Sequence, residues 1–191
     1  MVLLVLFLLV RGYFTIAVRK ARKKAQEDVH AASREGRVNL LLRRLVLTPL
    51  LGMSLYLYFI EHEWSTPFNV PYQQPVMWIG AVLGLCGIGV LIWVHMFLGK
   101  EWSARLRLNK EHRLIQSGPY GYVRHPMYTA LFTIYFSFGL IAANYLVILI
   151  LSMLIMSVAL RLPMEEQMLI ERFGDEYRTY QSRTGRFFPK L

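Results

Sequence analysis

Two polar stretches of this 191-residue chain carry residue types that do chemistry. The first, HRLIQSGPYGYVRHPMY, runs from His112 to Tyr128 and gathers two histidines, two arginines and three tyrosines. Gly118 and Pro119 mark a turn within it. Pro126 suits the first turn of a helix, where its missing N–H costs nothing. The free N–H groups of that helix start would meet a carboxylate or another anion. The second stretch, RLPMEE, runs from Arg161 to Glu166. Pro163 disturbs the local helix, and Arg161 and Glu165 stand four residues apart, on one helical face. Such a pair is either an ordinary surface ion pair worth a few tenths of a kcal/mol or part of a site at the end of a membrane bundle. The residues alone leave both readings open.

Other chemistries find less support. His112, His125 and Glu165 do not have the spacing of an HExxH-type metal site, so no metal is expected. No GxSxG element is present. Gly87 and Gly89 lack the third glycine and the preceding strand of a dinucleotide fingerprint. Cys86 is the sole cysteine, so an intramolecular disulfide is impossible, and nothing polar near it in sequence would activate its thiol.

The elements that must position these stretches are apolar. Hydrophobic residues make up 55% of the chain and charged ones only 18%, against about 25% charged in a soluble domain. The charges cluster between five apolar runs: 1–18, about 40–60, 76–98, 127–143 and 145–160. This predicts an all-α, multi-spanning membrane protein in a single domain, 1–191. Basic residues follow the first run rather than precede it, which points to a retained anchor. Arg11 interrupts that run, and it must snorkel or face the bundle. Only Asn144 parts the last two runs, which predicts a tight helical hairpin. Gly80 and Gly84 have the small-xxx-small spacing of close helix contacts. Leu169, Phe173, Tyr177 and Tyr180 recur at helical spacing, which predicts an interfacial amphipathic helix that Gly174 interrupts.

The charge distribution gives orientation. Nine Lys and Arg lie in 19–44, six in 99–126 and six in 161–191, with none in 61–75. Five spans then place the N-terminus outside and the C-terminus and both polar stretches on the cytoplasmic side. The net charge of +10 fits cytoplasmic loops against anionic lipid better than nucleic acid, for which no recognition module is present.

The order GPYGYVRHPMY, hydrophobic hairpin, RLPMEEQMLIERFGDEYRTY and final RFFP resembles the isoprenylcysteine carboxyl methyltransferase family, especially its short prokaryotic members. The match covers about Trp102 to Lys190. The resemblance implies an integral membrane methyltransferase with S-adenosylmethionine as cofactor and S-adenosylhomocysteine as product. The cofactor site would be built from segments 102–128 and 161–190. Carried over by position, His112, Arg113, Leu114, Ile115, Tyr120, His125, Pro126, Met127, Tyr128 and Glu165 would contact the cofactor. Arg161 would face the substrate and serve catalysis by holding the acceptor carboxylate. The partners implied are the bilayer and an amphiphilic, prenylated or similar acceptor. Thr129 and Ala130 stand where the family usually has glycine.

Two alternatives belong beside this reading. A phospholipid or amine N-methyltransferase would need a neutral amine and hence a base, whereas Arg161 favours an anionic acceptor. A non-catalytic lipid-binding protein or transporter is disfavoured because, past Arg43 and Arg44 at the edge of the second run, the runs after the first hold no Asp, Glu, Lys or Arg.

Overall fold

The computed structural model describes residues 2–24, 49–50, 52, 56, 63, 66–98 and 114–190. Among them the chain forms α1 (Val2–Lys24), α2 (Gln73–Leu98), α3 (Pro126–Ala142), α4 (Tyr145–Ala159), α5 (Leu162–Phe173) and α6 (Asp175–Arg183). Two 3-10 turns, Thr66–Phe68 and Gly118–Gly121, complete the regular structure. Extended pairing among the described residues is limited to the isolated bridges Asn69–Asn144 and Val123–Gly185. The protein is all-α.

Three of the expected apolar runs stand as α2, α3 and α4, each within three residues of its expected ends. The first run extends past Val18 to Lys24, because the Arg, Lys and Ala that follow are good helix formers. The run at about 40–60 falls largely outside the described residues, as do His30 and His62. Among the described residues, two helical stretches are long and apolar enough to cross a membrane, Gln73–Phe97 and Tyr145–Phe173. In the second, the apolar residues end at Leu160, and α5 beyond it is charged. The 17 residues of α3 rise about 25 Å, less than the roughly 30 Å of a hydrocarbon core. The expectation of five spans is therefore met in length and composition by two. The amphipathic helix expected at the C-terminus is interrupted, as expected, and forms two helices, α5 and α6. They part at Gly174, whose φ of 56° is a conformation that L side chains rarely adopt.

Contacts divide the chain into two compact units. One comprises Gly36–Gly87 and Leu131–Arg161. Its core includes Ala142, Val147, Leu151 and Leu154, with Tyr135 and Phe138 packed against them. Asn144 makes the hairpin possible. Its side-chain oxygen accepts from the backbone N–H of Leu146 (3.0 Å) and Val147 (3.3 Å), capping α4. Its amide donates to Asn69 Oδ1 at 3.1 Å, and Val70 N–H donates to the carbonyl of Ala143 at 2.7 Å. Gly80 packs against α3 so closely that a Cβ would lie 2.9 Å from Ile141 N and Ser137 O, which is the small-residue contact expected of it.

The other unit comprises Met1–Glu35, Ile88–Ala130 and Leu162–Leu191. Phe7, Arg11 and Phe14, at helical spacing, share one face of α1. Phe7 is buried, while Leu4, Leu8, Leu9 and Ile16 are exposed. Arg11 thus turns toward the packed face. Phe14 lies against His95 with ring centroids 4.4 Å apart. His95 is buried on α2 and hydrogen-bonds through Nδ1 to the Leu91 carbonyl at 2.8 Å.

Asn144 is 1% exposed and serves both as helix cap and as the tie to Asn69. Asn144→Ala should lower unfolding stability in detergent by about 2 kcal/mol, and Asn69→Ala by about half of that. Equal stability of Asn144→Ala and wild type in reversible denaturation would refute the capping role.

Candidate functional site

The polar stretch ending at Tyr128 folds as a turn followed by a helix start. Gly118 opens the turn with φ of 58°, and the Phe97 ring lies where its Cβ would be. Backbone bonds from Tyr120 N–H to Ser117 O (3.2 Å) and from Tyr122 N–H to Pro119 O (3.3 Å) close it. Pro126 then begins α3 as its spacing predicts. The residues between are held by the C-terminal strand-like strap. Arg124 N–H donates to Gly185 O at 2.8 Å, His125 N–H to Arg186 O at 3.1 Å, and Thr129 Oγ1 to Phe187 O at 3.2 Å.

Successive residues of a helix point about 100° apart, so the adjacent carboxylates of α5 have different surroundings. Glu166 is buried. It accepts from Arg124 Nε at 3.2 Å, from His125 Nε2 at 3.1 Å, and from Arg186 through both Nε (3.2 Å) and Nη2. Arg124 also donates through Nη1 to the carbonyls of Gln181 (3.1 Å) and Thr184. Burial alone would push the Glu166 carboxyl up. The hydrogen bonds and charges of His125 and Arg186 outweigh it and hold the group at about 2. The same pairing raises Arg186 above its ordinary value.

Glu165 points elsewhere and accepts from the Tyr128 hydroxyl at 2.7 Å. The Tyr120 hydroxyl lies within reach of the same charge, since burial first and then Glu165 push its proton loss far upward. Tyr120 therefore stays a neutral donor at any physiological pH. Tyr177 and Tyr180 of α6 turn inward and are buried, with rings 5.9 Å apart. Tyr180 donates to the Tyr120 carbonyl at 2.7 Å. Burial raises it to about 12, with Arg124 and a bond from Thr184 opposing. Tyr177 is also raised, by burial and then by Glu166.

The candidate residues are thus placed as follows. Tyr128 and Glu165 come together, and Tyr120 lies within electrostatic reach of Glu165. His125 is buried on Glu166, and its ring lies edge-on to Tyr128 at 5.7 Å. Pro126 and Met127 form the first turn of α3, with Pro126 fully buried. Leu114 and Ile115 lie half-buried in the irregular segment before the turn. Arg161 sits in the turn before α5 and donates its backbone N–H to Val158 O at 3.1 Å. His112 and Arg113 lie outside the described residues. Sequence reasoning missed Arg124, Glu166, Arg186 and the strap contact of Thr129. The available signal was an excess of cations around one glutamate pair in otherwise apolar surroundings.

Because folding depresses the Glu166 value below 4.5, its contribution to stability is fully present above pH 4.5 and is lost as pH falls through about 2. The stability gap between wild type and Glu166→Gln should be constant near neutrality and shrink on acidification across that window. A gap that does not change with pH in thermal unfolding would show that the carboxylate charge is not what holds the cluster.

Comparison with known proteins places this geometry. Residues 79–171 match the profile of the Isoprenylcysteine carboxyl methyltransferase (ICMT) family. The Protein-S-isoprenylcysteine O-methyltransferase of Schizosaccharomyces pombe is 32% identical over 84 residues, 44% of this chain and 36% of that protein. The Nickel-cobalt-cadmium resistance protein NccN of Alcaligenes xylosoxydans xylosoxydans is 30% identical over 118 residues, 60% of this chain and 53% of that protein. The chain thus spans about a third to a half of the length of these relatives. A solved structure of the eukaryotic intramembrane Ras methyltransferase ICMT superposes with a TM-score of 0.59 at 22% identity, covering 77% of this chain and 52% of the other. The fold is therefore shared with that enzyme, and the segment that matches the ICMT family profile, 79–171, holds Tyr120, His125, Tyr128, Glu165 and Glu166.

Proposed function

We propose that this chain is an integral membrane, S-adenosylmethionine-dependent methyltransferase that methylates the carboxylate of an isoprenylcysteine-like or other amphiphilic acceptor. The observation that carries this reading is the hydrogen bond from Tyr128 to Glu165 at 2.7 Å, with Tyr120 within electrostatic reach of the same carboxylate. These residues come from two motifs far apart in sequence, and all three occupy family cofactor positions. The homology of residues 79–171 and the apolar helices support it.

The residues fit the cofactor. S-adenosylmethionine carries a carboxylate, an ammonium and a sulfonium. Glu165 keeps one carboxylate oxygen, Oε1, beyond its bond to Tyr128, and it suits the ammonium or a ribose hydroxyl. The faces of Tyr120 and Tyr128 suit a cation or the adenine. Leu114, Ile115 and Met127 supply apolar surface, and His112 and Arg113 belong to the same proposed set. When bound, the cofactor supplies an electrophilic methyl group.

A carboxylate acceptor is already a nucleophile at neutral pH, so the protein needs no general base. Its residues must align the acceptor and exclude water. By family position Arg161 is the residue proposed to hold the acceptor carboxylate. In the proposed topology five helices place the N-terminus outside and the site at the cytoplasmic interface, where the acceptor's chain stays in lipid and its polar end reaches the cofactor.

Titration calorimetry of the detergent-purified protein with S-adenosylmethionine and S-adenosylhomocysteine, followed by labelled-methyl transfer to a farnesylated cysteine, tests the proposal. Binding with transfer is expected. Binding without transfer would redirect the acceptor search to lipids and amines, and no binding by a folded sample would refute the enzyme. Glu165→Ala should weaken cofactor binding by roughly tenfold or more. Arg161→Ala should lower turnover while leaving cofactor affinity intact, and an equal loss of both would move Arg161 to the cofactor.

A further inference from the structure

The cation cluster around Glu166 has more positive charge than that carboxylate neutralises. Two guanidiniums, Arg124 and Arg186, converge on one carboxylate. Arg124 is 12% exposed, and its Nε and Nη1 are committed to Glu166 and to two carbonyls. His125 is 4% exposed and is committed through Nε2. Arg186 differs. Its side chain is 45% exposed, and it uses only Nε and Nη2 on Glu166. A guanidinium has five N–H donors in a planar fork, so the Nη1 edge of Arg186 remains open toward the outside of the cluster.

A second observation points to the same place. The Tyr177 hydroxyl is buried, on a residue only 1% exposed, and no described residue hydrogen-bonds to it. A buried hydroxyl without a partner is costly and rare in native structures. Tyr177 lies within electrostatic reach of Arg186, Glu166 and Arg124, so its hydroxyl sits at the cation cluster rather than in an apolar wall.

We propose that Arg186 and Tyr177 form the anion-binding half of the site and hold the carboxylate of the cofactor's methionyl group, while Glu165 holds its ammonium. The inference rests on the methyltransferase reading above and assigns the carboxylate to residues of the C-terminal strap and α6. The start of α3, whose free N–H groups suit an anion, and the neighbouring His125 are the alternatives. His125 is already bound to Glu166, whereas Arg186 keeps an open edge. Glu165 and Glu166 point in different directions from α5, but Tyr177 lies within electrostatic reach of both, which brings the negative and positive poles near one another. That arrangement suits an α-amino acid group, whose own charges are only two bonds from a shared carbon.

The test uses two ligands, S-adenosylmethionine and its decarboxylated form, which keeps the ammonium, sulfonium and adenosine but lacks the carboxylate. Calorimetry of the full chain should show Arg186→Met binding S-adenosylmethionine roughly 10- to 100-fold more weakly than wild type, with little change for the decarboxylated ligand. Tyr177→Phe, which leaves the Glu166 cluster intact, should show the same selectivity with a loss of roughly 3- to 10-fold. Arg186→Lys keeps the charge and should fall between wild type and Arg186→Met. Equal losses for both ligands would overturn the proposal, because Arg186 would then act only through Glu166. Unchanged S-adenosylmethionine affinity in Arg186→Met and Tyr177→Phe would overturn it too. A folded wild-type protein that binds neither ligand would instead remove the methyltransferase reading on which the proposal rests.

Discussion

One buried carboxylate organises the polar half of this protein. Glu166 draws Arg124 and His125 from the turn before α3, and Arg186 from the C-terminal strap, onto α5. A buried ion pair contributes little net stability when its geometry is poor, and removing one partner then strands a charge. Here the geometry is well satisfied. The carboxylate takes four hydrogen bonds, and Arg124 donates as well to two backbone carbonyls. The cluster fixes the relative positions of segments that contribute little apolar area of their own. Apolar packing gives the helices their cohesion, but it is non-directional and cannot orient a turn to the precision a binding site needs.

That orientation is what the neighbouring residues use. With Arg124 and His125 anchored, the turn presents Tyr120 on one side and Tyr128 follows one helical turn into α3. Tyr128 bonds Glu165, and Tyr120 lies within electrostatic reach of it. Tyr180 reinforces the arrangement from α6 by bonding the Tyr120 carbonyl. The strap adds a parallel bridge and the bond from Thr129 to Phe187. Side chains held by such surrounding bonds lose little entropy when a ligand arrives, which is the benefit of a preorganised site.

The apolar elements were legible in the sequence because a bilayer demands long uncharged runs. Pro126, Asn144 and Gly174 marked boundaries that proved to be a helix start, a helix cap and a helix break. Each acts locally, through a missing N–H, a side-chain acceptor or a positive φ, and local causes are readable from local sequence. The trio of Tyr120, Tyr128 and Glu165 was reached through family resemblance. The cluster was not legible. Arg124 and His125 are 42 and 41 residues from Glu166, and Arg186 is 20 away. No periodicity announces which of two adjacent glutamates will be buried, because the choice depends on which cations tertiary folding delivers. The number of spans was less legible: among the described residues two helical stretches have the length and composition to cross a membrane. A hydropathy run shows that a segment avoids water, whereas crossing a membrane also requires reach, which the 17-residue α3 lacks at ideal rise.

The glutamate pair shows why activity alone is a poor guide to such a site. Removing Glu166 would unmoor the turn that carries Tyr120 and Tyr128, and removing Glu165 would delete a group those tyrosines face. Under the proposed function both changes would lower turnover, for different reasons. Their electrostatics separate them. Glu166 is surrounded by cations that already satisfy it, so it has no spare acceptor to offer a ligand. Glu165 has a single neutral phenol as its observed partner and retains the capacity to hold a positive charge. A carboxylate can serve a ligand only to the extent that the protein has left it unsatisfied. By that criterion α5 divides its two adjacent acids between holding the site together and completing it.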